Sequence, residues 1–336
     1  MKRIFFFAGL FISLHVFAQD TTLNSLTKDM ESKDKTDKLP VKIFNSEKAI
    51  NANTTEMVGK GKMNFKVTHN FGDIGGPNGG IRNFFGLDHA ADVKIGFQIG
   101  LCDRLDIITS RIRGSENYTN AFSIVQEMWE LGFKYLAFQQ IENDPKHPFS
   151  LAIFANNVVS SMQVPSGLNA FNAVTKDSAE TNFKGFSERM SQTVQVIIAR
   201  KFGKLSLQLN PTLIHRSRII PGDDKSIFAL GGAVRIPLNK SFAFIMDYFH
   251  VFHSESAKTL YKTPNSIVHS VYHFYDPLGV GFEITTAGHV FHLNFTNATE
   301  ILENRFIPRT VTSWGKKQFR WGFTISRRFV LWREKK

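Results

Sequence analysis

From Gly61 onward the chain alternates apolar and polar residues with a period of two. Met63, Phe65, Val67 and Phe71 are interleaved with Lys62, Asn64, Lys66 and Asn70. The stretch 93–107, VKIGFQIGLCDRLDI, sets Val93, Ile95, Phe97 and Ile99 apart by Lys94, Gly96 and Gln98, then turns at GLCDR. Trp129, Leu131, Phe133 and Tyr135 alternate with Glu130, Gly132 and Lys134. The same rhythm returns at Leu205, Leu207, Leu209 and Leu213, at Phe242, Phe244, Met246 and Tyr248, and at Phe319, Trp321, Phe323 and Ile325. Less regular or shorter runs fill the gaps: 105–112, 151–155, 194–198, 228–236, 278–284 and 291–295. A period of two means a strand with one apolar and one polar face. The pattern predicts twelve strands, most near the roughly 9–11 residues with which a tilted strand crosses a bilayer.

The connections sharpen this picture. Long ones (about 72–91, 113–127, 160–188, 217–226, 253–276 and 297–317) take turns with short ones such as GLCDR, QIENDPKHP, FGK, PLNKS and TAG. Short turns on one side and long loops on the other are the habit of outer-membrane barrels. In lipid every backbone N–H and C=O needs a partner within the fold, so a sheet must close on itself. The expected fold is therefore an all-β, antiparallel, up-and-down transmembrane barrel of about 12 strands. Its apolar faces meet hydrocarbon and its polar faces line a lumen. A soluble β-sandwich or lipocalin-like barrel would also alternate, with its apolar face inward. It would not place so many Phe and Leu on one face of twelve strands.

The first residues, MKRIFFFAGLFISLHVFAQD, read as a signal peptide spanning 1–18, with Lys2 and Arg3 ahead of an apolar run and Val16-Phe17-Ala18 at the cleavage point. Residues 19–60 read as a flexible periplasmic lead-in, partly packed in the barrel mouth where 41–59 becomes more apolar, and 61–332 as the barrel. Export places the protein in the outer membrane of a Gram-negative bacterium with both termini periplasmic. Its expected surroundings are outer-membrane lipids, lipopolysaccharide and the barrel-assembly machinery. That machinery would recognise the aromatic end of the last strand, Phe329 to Trp332.

Composition changes the picture less. The net charge is +12, falling by two when Lys2 and Arg3 leave, and Phe reaches 33 of 336 residues. A basic soluble protein would suggest nucleic acid; an exported one seldom meets it, so none is expected. Cys102 is the one cysteine, so no internal disulfide forms.

Several stretches resemble a known family. GKGKMNFKVTHNFGD (59–73), NFFGLDHAADVKIGFQIGLCDRLDI (83–107) and ELGFKYLAFQQ (130–140) are similar to the membrane-bound β-barrel family of Bacteroidetes known as domain-of-unknown-function family 5777. The matching motifs are Phe85-Gly86-Leu87-Asp88, Asp103-Arg104-Leu105 and Lys134-Tyr135; His69-Asn70 and Ile99-Gly100 depart from the family's usual His-Arg and Tyr-Gly. The resemblance implies fold and location. It assigns no activity.

Parity then sketches the lumen. Opposite the apolar rows stand Lys62, Lys66, Lys94, Lys134, Arg216, Arg235, Arg320 and Arg328, with Asp92, Asp106, Glu130, Asp247 and Glu283. Such a lining suits passage or binding of a small polar or anionic solute. It suits equally a closed barrel braced by cross-strand ion pairs, with a structural or interaction role. The glycine-rich loop ending in Phe85-Gly86-Leu87-Asp88 is expected to fold over or into the barrel, held by Asp88. The late histidines (His250, His253, His269, His273, His289 and His292, with Glu255 and Asp276 nearby) are too loosely spaced to specify a metal, and no cofactor is expected. Enzymatic activity is not expected, although His292, Ser270 and Asn297 could form a lipase-like set if they met at the outer rim. On stability, Leu207→Arg or Phe282→Arg on the lipid face is expected to cost about 2–4 kcal/mol, and Ser206→Arg little.

Overall fold

A computed structural model describes residues 38–114, 127–162, 183–262 and 272–332. The expected signal peptide, the first part of the lead-in (19–37), Ser270 and His269 lie outside the described residues. Pro40 to Lys336 form one compact unit.

That unit is a closed barrel of twelve antiparallel strands in which each strand pairs with its neighbours in sequence and β1 pairs with β12. The strands are β1 (Lys62–Asp73), β2 (Ala90–Cys102), β3 (Leu105–Gly114), β4 (Glu127–Phe138), β5 (Ser150–Ser160), β6 (Met190–Phe202), β7 (Leu205–Arg216), β8 (Ser226–Pro237), β9 (Phe242–Phe252), β10 (Leu278–Thr285), β11 (His289–Thr296) and β12 (Arg320–Val330). Closure leaves no edge strand. Pro211 sits mid-strand in β7; the β6–β7 ladder passes from Gln195↔Thr212 to Ile198↔Leu209 around it, since proline has no N–H to donate.

The sides of the sheet follow parity. On β4, Leu131 is 64% exposed on the outer face while Glu130, its neighbour, is 2% exposed inside. Outward rows carry Ile95 and Phe97, Leu207, Leu209 and Leu213, Phe228 and Leu230, Phe282, Leu293 and Ile325. Aromatic residues mark both ends of this belt. Trp129 is exposed toward the long-loop end, and Tyr135 and Trp332 toward the short-turn end.

The interior is filled, and this was not evident from the strands. Residues 40–58 run inside the barrel, with Ile43, Phe44, Ala49, Ala52 and Val58 buried. From the long-loop end, the β11–β12 connection folds inward as well. Its residues 297–310 are buried and include a short helix, α2 (Glu303–Arg309); the other helix, α1 (Glu255–Lys262), lies in the β9–β10 connection. Ile43, Phe44, Ala298, Phe306 and Ile307 from these two inserts join Ile214, Ile227, Ala229 and Phe249 of the wall in one apolar cluster. Phe306 meets Phe249 edge to face, with centroids 5.4 Å apart. Gly231 makes room for this, because a Cβ there would lie 2.4 Å from the Phe249 ring.

Candidate functional site: the filled lumen

The lumen is built from strand parity and the polar side chains that lie on it. Of the residues expected to line it, Lys66, Asp92, Lys94, Asp106, Glu130, Lys134, Arg216, Arg235, Asp247, Glu283 and Arg320 are buried or nearly so. Lys62 differs. It shares their parity but sits at the first position of β1 and is exposed at the short-turn rim, where the barrel no longer encloses it. Arg328 is also exposed, its side chain to 39%, yet it reaches Glu47 inside.

Only part of this charge braces wall to wall. Lys94 Nζ lies 2.6 Å from Glu130 Oε2, and Glu130 also accepts from Ser110 Oγ and Asn156 Nδ2. Arg235 Nε donates to Glu283 Oε1 at 2.9 Å, with His292 Nε2 3.5 Å from the other oxygen. Arg320 Nη2 donates to Asp73 Oδ1 at 2.7 Å.

The remaining lumen charges hold the inserts. The Asp247 carboxylate accepts the backbone N–H groups of Ile50, Asn51 and Ala52 at 2.5–3.1 Å. Asp106 Oδ2 accepts from Val58 N, and Asp92 Oδ2 from Ile301 N. Lys134 Nζ donates to the carbonyls of Thr54 and Glu56. Gln208 Nε2 and Asn210 Nδ2 both donate to Asn53 O. These contacts satisfy backbone groups that the irregular lead-in cannot pair with itself. Glu47 completes the set, accepting from Asn64 Nδ2 at 2.6 Å and Arg328 Nη2 at 2.7 Å. Burial would push the Glu47 carboxyl up, but Lys66, Arg328 and Lys134 outweigh it and hold it down to about 2. Glu56 and Glu300, also on the inserts, go the other way because desolvation dominates.

The two inserts meet. Lys48 Nζ lies 2.8 Å from Glu303 Oε1, which also accepts from Asn53 Nδ2 at 3.0 Å. The lead-in from the short-turn end and α2 from the long-loop end thus close the lumen at a shared carboxylate. Beside this junction a void of about 40 Å³ remains against β1–β3, lined in part by Lys66, Lys94, Gln98, Ser110 and Glu130. The inserts leave the charge balance of the strands as it was: Glu47 and Glu56 stand with Lys42 and Lys48, and Glu300 and Glu303 with Arg305 and Arg309. They do pair individual charges, Glu47 with Lys66 and Glu303 with Lys48.

Other expected sites fall elsewhere. Phe85, Leu87 and Asp88 are exposed rather than folded into the barrel. Asp88 does not hold the loop: Gly80 N donates to Ile74 O, Phe85 N to Gly80 O and Gly72 N to His89 O. Gly86 is required there, with φ +89° and a Cβ that would lie 2.3 Å from Gly72 O. His292 is buried in the lumen against Glu283, and Asn297 bonds Leu278 N and the carbonyls of Asp276 and Thr312. His292 faces the lumen within β11 and Asn297 is buried just past its long-loop end, so the two do not form an exposed lipase-like set. His250 Nδ1 lies 2.9 Å from Asp276 Oδ2, and His253 stacks on Phe274. Among the described residues no three His, Cys, Asp or Glu side chains converge as a metal would need. The inserts' own contributions, Glu47, Lys48 and Glu303, escaped the parity argument because they lie on no strand.

A family model described as a membrane bound beta barrel domain (DUF5777) matches residues 44–329. The chain belongs to this family. The match covers the second insert, the first from Phe44 onward, and all but the end of the barrel. No curated protein matches. Among solved structures, the chain is similar to the KdgM porin at 7% identity and a TM-score of 0.43, over 80% of this chain and 99% of that one. It is similar to an outer membrane channel from Pseudomonas putida at 11% identity and a TM-score of 0.44, over 82% and 98%. It is also similar to the P. putida toluene transporter TodX at 8% identity and a TM-score of 0.40, over 85% and 95%.

Proposed function

We propose that this membrane barrel resides in an outer membrane with its short turns and both termini in the periplasm. In this reading it passes a small polar solute along the β1–β4 side of the lumen when its inserts loosen. The observation that carries the reading is how the inserts are held there. On that side the contacts are ion pairs and hydrogen bonds: Glu47 with Lys66 and Arg328, Lys134 with Thr54 and Glu56, Asp106 with Val58. Exchanging a buried ion pair for hydrated ions is close to neutral, so water can take over these contacts at little net cost. The residual void lies on the same side.

A second reading has its own support. Ile43, Phe44, Phe306 and Ile307 are anchored in the apolar cluster, which favours a permanently closed barrel. Planar-bilayer conductance decides between them. With Cys102→Ser to remove the exposed thiol, the passage reading expects brief openings in the intact chain. It expects steady conductance when residues 299–310 are replaced by a short linker. Joining Asn51→Cys to Thr296→Cys, whose parent side chains meet at 3.3 Å, should silence the openings until reductant is added. A linker variant that folds, inserts and stays silent would establish the closed barrel instead.

A further inference from the structure

At the long-loop end, above α2, lies a cavity of about 50 Å³ that none of the lumen contacts uses. Its wall includes Arg189 from the turn before β6, Arg216 and Arg218 from the end of β7, and Arg305 from α2, against the one carboxylate of Glu188. Glu188 already accepts from Lys184 N at 2.8 Å. Guanidinium groups stay charged at any physiological pH, so an anion entering this lining meets cations on several sides, although Arg216 already has Asp223 as one partner.

The Arg216 side chain is the decisive one. It is 4% exposed. Its Nη2 is held by Asp223 Oδ2 at 3.1 Å and by Asp224 O, which fixes the group in place. Its Nε and Nη1 are buried and have no hydrogen-bond partner. A buried donor without a partner costs roughly 1–3 kcal/mol, more when charged, and is rarely kept without a use. Arg189 is likewise positioned. Its Nη1 donates to Ser160 O and Met162 O, and its guanidinium lies 4.6 Å from the Phe183 ring centroid. On a scale where one water needs roughly 10–15 Å³, the cavity has room for one tetrahedral oxyanion.

We infer that this arginine-lined cavity at the long-loop mouth binds a phosphate-type oxyanion, as a free solute or as the headgroup of a lipid. The site deepens the passage reading by placing anion selection at the mouth, since the lumen cations Lys66, Lys94 and Arg235 already have carboxylate partners. Arg305 stands on the helix that helps close the lumen, so an anion here would sit directly on the plug.

Calorimetric titration of the full chain in zwitterionic detergent with inorganic phosphate, at fixed ionic strength, tests it. Saturable binding is expected, weakened at least tenfold by Arg189→Gln and by Arg218→Gln, with the folded barrel's gel mobility unchanged. Arg216→Gln should abolish binding if it folds; the other two variants keep the test decisive if it does not. Adding lipopolysaccharide separates the sources. Competition with phosphate points to a lipid headgroup, and its absence to a free anion; either outcome supports the site. No saturable binding of phosphate or lipopolysaccharide, or binding undiminished in the Arg189→Gln, Arg218→Gln double variant, overturns it. The titration does not depend on conductance. A silent barrel that binds phosphate would sink the passage reading and leave the site standing.

Discussion

The two sides of the lumen wall hold the inserts by different mixtures of contact. From β6 to β9 the inner face combines buried apolar residues (Ile197, Ala199, Ile214, Ile227, Ala229, Ala233, Ile245, Phe249 and Val251) with buried polar ones (Gln195, Ser206, Gln208, Asn210, Arg235 and Asp247). From β1 to β4 it is largely polar, with Asn64, Lys66, Asp92, Lys94, Gln98, Asp106, Ser110, Glu130 and Lys134. The same two inserts touch both halves. Against the first they are bound as a protein core is bound, by area and close packing, with hydrogen bonds from Ser206, Gln208, Asn210 and Asp247 added to it. Against the second they are bound by groups that water could satisfy equally well. The difference teaches that one wall of a plugged barrel can be a permanent anchor while the other is a separable seam.

The largest effects should come from breaking this contrast one partner at a time. Phe249→Ala removes the ring on which Phe306 packs and should cost about 3–5 kcal/mol. Lys94→Ala leaves Glu130 buried and uncompensated and should cost a similar 3–5 kcal/mol. The halves then separate in the double replacement. Lys94→Met with Glu130→Leu should return stability to within about 1 kcal/mol of the parent or above it. No partner substitution in the apolar half, such as Phe306→Ala added to Phe249→Ala, should do so. Urea titrations in lipid vesicles measure both. A double variant as unstable as Lys94→Ala alone would show that the polar half is not exchangeable with an apolar one.

Next in size is the outer face, where the same contrast is absent because lipid meets all twelve strands. Leu209→Arg should cost about 2–4 kcal/mol near the bilayer midplane. Ser206 sharpens the point. Its parity suggests a mild response to arginine, but the residue is fully buried and Ser206 Oγ donates to Ile43 O at 2.6 Å. Arginine there should displace the lead-in, raising protease cleavage within 40–58 without unfolding the barrel. Intact protection of that segment would show the lead-in is not held where it packs.

How much of this could be read from the chain divides along the same line. Alternation at Trp129 to Tyr135 or Leu205 to Leu213 records two solvents, so strands, closure and the inward placement of Glu130, Lys134 and Asp247 were legible. The inserts were less so: the more apolar stretch 41–59 suggests packing at the barrel mouth, and 297–310 reads as no more than a long loop, because a segment without period two does not say which surface covers it. Two signals were present. Ile43, Phe44, Ile50 and Val58 interrupt an otherwise polar lead-in, and Ile301, Leu302, Phe306 and Ile307 are too apolar for a loop in water. Phe85-Gly86-Leu87-Asp88 misled in the opposite way, since Phe85 and Leu87 are apolar and yet exposed, and Gly86 is fixed by a close backbone approach.

The smallest expected effect is the pH response of the inserts, and its sign follows from burial. Desolvation raises the Glu56 carboxyl against the N–H groups of Phe44 and Ile43 and the charges of Lys42 and Lys134. It raises Glu300 against Arg305 and Arg320. A carboxyl whose docked value lies above its free value near 4.5 favours docking when protonated. That contribution is complete below about 4.5 and lost as pH rises through the raised value. Glu47, held down to about 2, contributes the reverse, stabilising docking above about 4.5 and losing this only as pH falls toward 2. Between pH 8 and 5 Glu47 therefore stays constant while Glu56 and Glu300 tighten the plug. Openings in planar bilayers should become rarer by a few-fold as pH falls from 8 to 5. Glu56→Gln with Glu300→Gln, neutral at every pH, should flatten the trend at the low-opening level. Openings that grow more frequent on acidification would mean the seam is not governed by the protonation of Glu56 and Glu300.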